Sequence, residues 1–242
     1  MKDIYNDNTY LSNNPTWHEE DGPFKASKII KLLERNPITY QTVCDIGCGG
    51  GGILVQLEKN LHNVTNFFGF DISKDAINIA KKKETDKIRF DVKDIASKNE
   101  NCFFDLLLVI DVIEHIDNYF EFLDGIGSKS KYAIFHIPLD LCVWSLFREK
   151  MLIESKNRVG HIHNFTEDFI KNILADYGFE TIDQMYTPPT FQMISFKQKL
   201  VNIVRKTIFS IHKRFCTKAL GGYSILLLTK NNSQRDIASS SI

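Results

Sequence analysis

The chain has 242 residues, 43% hydrophobic and 25% charged, with 30 Lys or Arg against 30 Asp or Glu. These proportions are those of a globular domain, and no apolar run reaches the ~18 residues of a membrane-spanning helix. The start, Met1 to Asp7, lacks the apolar core of a signal peptide, and the five scattered cysteines contain no CxxC pair, so neither a zinc site nor a disulfide framework is suggested and a reducing cytoplasm is expected.

The first helix is predicted over 24–35. From residue 38 onward, strand-like and helix-like patterns alternate. Strands are predicted at 42–46, 66–71, 87–92, 104–110, 131–137, 179–186 and 223–229, and helices at 51–60, 74–83, 117–127, 165–177 and 196–216. Several strands are nearly continuous apolar runs, such as Phe104-Asp105-Leu106-Leu107-Leu108-Val109-Ile110, which suits parallel strands covered on both faces. The alternation argues for a doubly wound α/β sheet. Thr166 with Glu167 and Asp168 reads as a helix start and Gly178 as its stop. The Ser-rich stretch 231–242 reads as a disordered tail.

The densest signal is Asp45-Ile46-Gly47-Cys48-Gly49-Gly50-Gly51-Gly52, between an apolar strand and a helix. Glycine lets backbone turn tightly and approach a ligand, so such a loop can hold a nucleotide-like molecule. Gly47, Gly49 and Gly52 fit GxGxxG, the dinucleotide pattern. Asp45, Gly47, Gly49 and Gly51 fit D-x-G-x-G-x-G. Asp71, ending the second strand, can take ribose hydroxyls under either pattern. The loop alone therefore leaves a nicotinamide-dependent oxidoreductase open.

Four motifs in order decide between the patterns. They are Val43-Cys44-Asp45-Ile46-Gly47-Cys48-Gly49-Gly50-Gly51, the strand ending at Asp71, Arg89-Phe90-Asp91-Val92-Lys93-Asp94-Ile95, and Phe104 through Asp111-Val112-Ile113-Glu114-His115-Ile116. Over most of residues 15–230 the chain resembles the class I S-adenosylmethionine-dependent methyltransferases. The resemblance implies a Rossmann-like seven-stranded sheet with an antiparallel last strand, with cofactor and acceptor meeting at the strands' carboxyl ends. It implies S-adenosylmethionine as cofactor. Asp45 would serve the amino-acid end, Gly47, Gly49 and Gly51 the close backbone approach, Asp71 the ribose diol, and Asp94 the adenine amine. Ile72 and Ile95 would be apolar walls, with Cys48 and Ile110 completing the contacts. Asp94 as a simple helix cap is the plainer alternative.

The resemblance also directs attention to the acceptor side. Glu114 and His115 follow strand four in D-x-x-E-H, where related enzymes carry an E-x-x-E-H cluster able to bind a divalent metal. Pinning of the turn is favoured here, and no metal is expected. His161 and His163 lie in Gly160-His161-Ile162-His163-Asn164-Phe165-Thr166, a segment that recurs in relatives at the acceptor side, and either is a candidate base or a packing residue. His136, ending strand five, is a substrate contact or a hydrogen-bonded strand-end residue. Residues 14–25 resemble the lead-in of bacterial methyltransferases of saccharide biosynthesis, which implies a lid over residues 1–37 with Trp17, His18 and Lys25 as contacts.

No Asp or Glu lies between Gln184 and Arg235, while Lys197, Lys199, Arg205, Lys206, Lys213, Arg214, Lys218 and Lys230 do. Within this basic insertion (196–218), residues 196–216 are predicted as one amphipathic helix with Phe196, Leu200, Ile203, Val204, Ile208, Ile211 and Phe215 at helical spacing. It suits packing on the domain or on a second subunit, or an anionic membrane surface. Nucleic acid is not an expected partner. The sequence thus reads as a cytoplasmic methyltransferase domain (38–230), peripheral to the membrane's inner face if that helix binds it. It would act on oxygen of a small molecule, saccharide or lipid-linked intermediate. A non-catalytic cofactor-binding relative is the remaining rival.

Overall fold

The computed structural model describes residues 19–188 and 196–232. The lid contacts Trp17 and His18, and the tail beyond Asn232, lie outside the described residues. Seven strands form one sheet in the order β3-β2-β1-β4-β5-β7-β6. They are β1 (Thr42–Ile46), β2 (Asn66–Asp71), β3 (Ile88–Val92), β4 (Phe104–Ile110), β5 (Ser130–Pro138), β6 (Phe179–Thr187) and β7 (Ser224–Asn231). All neighbouring pairs from β3 to β5 are parallel, and β7 runs antiparallel to both β5 and β6. This is the expected doubly wound, Rossmann-like sheet with a reversed last strand. The chain leaves β1 toward β2 on one side and returns to β4 on the other. The crevice at that reversal is where open α/β sheets hold ligands.

Two core layers sandwich the sheet. On one face α1 (Gly22–Glu34), α2 (Gly52–Glu58) and α3 (Lys74–Ala80) bury Ile29, Leu32, Leu54, Leu57 and Ile77 against Val43, Phe67 and Leu106. On the other, α4 (Tyr119–Ile126) and α7 (Glu167–Asp176) bury Leu123, Ile126, Ile170 and Leu174 against Leu107, Val109 and Phe135. Burial of strand residues on both faces explains the unbroken apolar runs. Pro23 sits in the first turn of α1, where its missing N–H costs nothing. A Cβ on Gly22 would meet the backbone carbon of Gly52 at 3.1 Å, so α1 begins directly against the glycine-loop helix. The other end is anchored to β6, where Arg35 (2.6 Å) and Asn36 (2.8 Å) donate to Asp183.

Three expectations are corrected. Two helices were missed between β5 and α7: α5 (Val143–Leu146) and α6 (Glu149–Val159). Neither presents a clear apolar stripe toward the core, and α6 has no buried residue, so the periodicity that marks core helices is absent. The predicted single helix 196–216 is two, α8 (Phe196–Ile211) and α9 (Lys213–Leu220), divided at His212, whose side chain caps α9 by accepting from Phe215 N. The face carrying Arg205 and Phe209 turns inward. Arg205 donates to the Leu220 carbonyl, and Phe209 stacks on Tyr223 at 4.0 Å. Val201, Val204, Ile211 and Phe215 lie outward, Ile211 82% exposed. The last strand runs on to Asn231, which is buried, so the tail begins later than expected.

At α7, Thr166 is the N-cap residue but makes no side-chain cap bond. Glu167 instead turns inward to accept from Tyr186 Oη and Gln184, and Asp168 pairs with Arg214 and Lys218 of α9.

Candidate active site

The glycine loop is held from beneath by the sheet. Gly47 N and Cys48 N donate to the Phe70 carbonyl at 2.8 and 3.1 Å, and Gly49 N donates to Asp71 Oδ2 at 2.9 Å. Asp71 Oδ1 accepts from Ser73 N at 2.8 Å, fixing the carboxylate across the end of β2. Two glycines are demanded by this geometry. Gly47 (φ +71°) and Gly51 (φ +79°) take left-handed backbone, and a Cβ would meet Val112 Cγ2 at 2.7 Å and Phe90 Cζ at 2.5 Å respectively.

Asp45, at the carboxyl end of β1, is 1% exposed, and neither carboxylate oxygen has a hydrogen-bond partner among the described residues. Burial, reinforced by the Asp71 charge and partly offset by Lys25, pushes its carboxyl up to about 8. A buried carboxyl without a donor is costly unless something supplies one. The cationic amino-acid end of S-adenosylmethionine is such a donor, and the glycine cradle with the Asp71 carboxylate beside it completes the set. The residues present therefore fit this cofactor.

The remaining expected contacts fall in different places. Ile72 is exposed next to Asp71, whereas Ile95 is buried in the second core layer and Cys48 and Ile110 in the first. Asp94 is exposed, and its Oδ1 accepts from Ala96 N at 3.0 Å in a turn, with no helix following for it to cap.

On the acceptor side the D-x-x-E-H residues separate. Asp111, just past β4, takes the left-handed conformation (φ +55°) and turns to Lys25 of α1 (2.7 Å) and His136 of β5 (2.5 Å). Burial alone would raise its carboxyl, but the His136 and Lys25 charges pull it well below the usual carboxylate range. His136 Nε2 is 2.7 Å from Thr187 Oγ1, at the end of β6. Burial works against the Lys25 charge, but Asp111, with Asp21 and Glu114 more distant, more than compensates, so its ammonium is held charged. Lys25 thus reaches the site, as the lid reading requires of it.

Glu114, His115 and His161 form a second cluster, with a ligand atom from each within 4.8 Å of the others. Glu114 is 0% exposed, has no hydrogen bond on either carboxylate oxygen among the described residues, and is pushed well up by burial and by the Asp111 charge. His115 Nδ1 lies 3.1 Å from the Gly160 carbonyl and His161 Nδ1 2.8 Å from Asp140 Oδ2, the rings meeting edge-on at 5.0 Å. His163 Nε2 donates to the Ile116 carbonyl at 2.9 Å, with Tyr119 edge-on to its ring. The loop 160–165 is further tied by Ile162 N and His163 N to the Glu114 carbonyl. These contacts pin the turn after β4. The network of Lys25, Asp111, His136 and Thr187 was not assembled from sequence. Its members are up to 162 positions apart, Lys25 to Thr187, and only Asp111 and His136 carried a strand-end signal.

A methyltransferase-domain family model matches residues 17–184. Among similar proteins are ubiquinone biosynthesis O-methyltransferases of Rickettsia canadensis (26% identical over 118 residues, 44% of this chain and 50% of the relative) and Hydrogenovibrio crunogenus (30% over 113 residues, 42% and 45%). The chain thus spans about half the length of these relatives. Among solved structures, magnesium protoporphyrin IX methyltransferase from Synechocystis, with bound S-adenosylhomocysteine, superposes with a TM-score of 0.58 at 18% identity, covering 87% of this chain and 83% of that one. The putative methyltransferase of Haloferax volcanii, solved with its Trm112 activator, gives 0.63 at 14% identity, covering 93% and 95%. With a family model over most of its length and a sheet, glycine cradle and orphaned carboxylate that fit the methyl donor, the chain belongs to the S-adenosylmethionine-dependent methyltransferases of class I.

Proposed function

We propose that the protein transfers the methyl group of S-adenosylmethionine to an oxygen of a small molecule, saccharide or lipid-linked acceptor. The cofactor supplies a carbon activated by its sulfonium, so the protein's task is to bind, align and manage the acceptor's proton. The carrying observation is the juxtaposition, at the strands' carboxyl ends, of the donorless Asp45 carboxyl and the Asp111–His136 pair, one suited to a cationic cofactor and the other to a hydroxyl acceptor. The O-methyltransferase names of the curated relatives support oxygen without specifying the acceptor. Asp45, Gly47, Gly49 and Asp71 hold the cofactor in this reading, with Cys48, Gly51, Ile95 and Ile110 shaping the cradle from behind, and Ile72 and Asp94 flanking the adenosyl end. Residues 19–37 with Lys25 close the site as a lid.

The test is incubation with methyl-labelled cofactor and a lysate or sugar-nucleotide pool, followed by identification of the labelled product. Tight nicotinamide-dinucleotide binding without S-adenosylmethionine binding would instead favour an oxidoreductase. Cofactor binding with no labelled product across a broad acceptor panel would favour a non-catalytic relative.

The outward stripe of α8 and α9 favours peripheral contact with an anionic membrane over self-association. No helix among the described residues is long and apolar enough to cross a membrane. The stripe is flanked by Lys206 and Lys213, with no acid on either helix, so pairing two copies would bring like charges together, whereas an anionic surface matches both stripe and charge. Sedimentation with anionic liposomes, weakening with salt and abolished by Ile211→Asp, is the expected outcome. Salt-independent dimerisation without liposome binding would reverse the assignment.

A further inference from the structure

One row of side chains crosses the carboxyl ends of three strands: Asp111 after β4, His136 on β5 and Thr187 on β6. His136 bonds Asp111 Oδ1 through Nδ1 and Thr187 Oγ1 through Nε2. Asp111 is ion-paired to Lys25 and so accepts, which puts a proton on the Nδ1 it bonds. Nε2 is then free to accept from the Thr187 hydroxyl at 2.7 Å, closer than that hydroxyl's other acceptor, the Ser224 carbonyl at 3.5 Å. Lys25 takes the other Asp111 oxygen at 2.7 Å, so the carboxylate cannot rotate away from the ring. The left-handed backbone of Asp111 is uncommon outside glycine and is kept because these two partners fix it.

We propose that His136 is the proton acceptor for the methylated hydroxyl, with Thr187 relaying the proton and Asp111 and Lys25 as positioning residues. The inference rests on the reading of oxygen as the acceptor atom. As the acceptor oxygen forms its bond to the methyl carbon, the carbon–sulfur electron pair returns to the donor sulfur. The acceptor O–H breaks and its proton passes to Thr187 Oγ1. The Thr187 proton moves to His136 Nε2, and the Asp111 carboxylate stabilises the imidazolium. The proton leaves to solvent after product release. The Glu114, His115 and His161 cluster is the alternative source of deprotonation, through a metal ion. It does not contain Asp111, and burial pushes the Glu114 carboxyl up, against the charged form.

The charged groups facing His136 are Asp111 and, behind it, Lys25. From β6 it meets the neutral Thr187, and its β7 register partner is Leu226.

The experiment uses the full chain. With a hydroxyl acceptor and saturating cofactor, His136→Gln lowers kcat about 100-fold with acceptor KM within about threefold. Thr187→Ser keeps kcat within about threefold, while Thr187→Val loses about tenfold or more. Unchanged cofactor affinity and circular dichroism establish that the variants fold. A readout without cofactor is 15N NMR of the imidazoles, in which the His136 ring carries its proton on Nδ1 and Asp111→Asn disturbs that tautomer. Oxygen methylation with His136→Gln unimpaired overturns the proton assignment alone. So does loss of activity on chelation with rescue by added divalent metal, or a His136 ring protonated on Nε2. Methyl found on nitrogen or carbon overturns the oxygen reading and the proton assignment with it.

Discussion

The half of the sheet that carries the glycine loop and the half that faces the acceptor hold their functional groups by different means. Around β1, β2 and β3 the loop is fixed by backbone donors from close in sequence. Gly49 N reaches Asp71 across 22 positions, and Gly47 and Cys48 share the Phe70 carbonyl. Around β4, β5 and β6 the same task falls to side chains from distant segments. Lys25, Asp111, His136 and Thr187 come from α1 and three strand ends. A site built on backbone geometry can serve one invariant ligand, while a site built on side chains can be changed without disturbing the fold. On the proposed reading, the methyl donor belongs to the first half and the acceptor to the second.

The variants that separate the halves differ in size of effect. Behind the His136 substitution, the largest is Asp45→Ala. By removing the carboxyl awaiting a cation, it weakens cofactor binding about 10- to 100-fold in calorimetry and leaves His136 NMR signals in place. If the two halves shift together, they are not separable. Gly51→Ala comes next. Its Cβ would press Phe90 and its φ is left-handed, so it costs about 1–3 kcal/mol in denaturant unfolding and loosens the cofactor as well. Asp45 also makes the donor half pH-sensitive. Its carboxyl titrates near 3.8 when unfolded and about 8 when folded, so the native state binds the extra proton between those values. Stability of the cofactor-free protein therefore falls as pH rises from about 4 to about 8. Asp45→Asn flattens that slope in thermal denaturation, and cofactor binding at neutral pH releases a proton, measurable by calorimetry in buffers of different ionisation enthalpy. The smallest effect is Lys218→Ala on α9, where an exposed pair with Asp168 is worth about 0.2–1 kcal/mol and activity is unchanged.

The same contrast explains what could be read from the residues alone. The glycine loop, Asp71 and the positions of the strands follow from local pattern, because an apolar run, a turn and an acid two residues before a glycine are all contiguous. The Asp111–His136 couple is not contiguous, and D-x-x-E-H suggested one cluster where the fold makes two. His163 showed only as an imidazole in a loop, and its bond to the Ile116 carbonyl needs the turn after β4 in place. The helix over 196–216 failed for another reason. Its periodicity is real, but periodicity alone does not say which face meets the domain, and Arg205 and Phe209 rather than the aliphatic stripe do so.

Phe90 lies under two glycines at once: a Cβ on Gly51 would meet its ring at 2.5 Å and one on Gly69 at 2.4 Å. Its strand, β3, is the outermost on that side of the sheet. Part of the glycine spelling is therefore dictated by an aromatic neighbour within the chain and not by the nucleoside. A descendant that lost methyl transfer yet kept its sheet would be obliged to keep Gly51, while Asp45, whose buried carboxyl has no internal use, would be free to drift. Inheritance of the two residues should thus come apart: Gly51 marks the architecture, and Asp45 marks the chemistry.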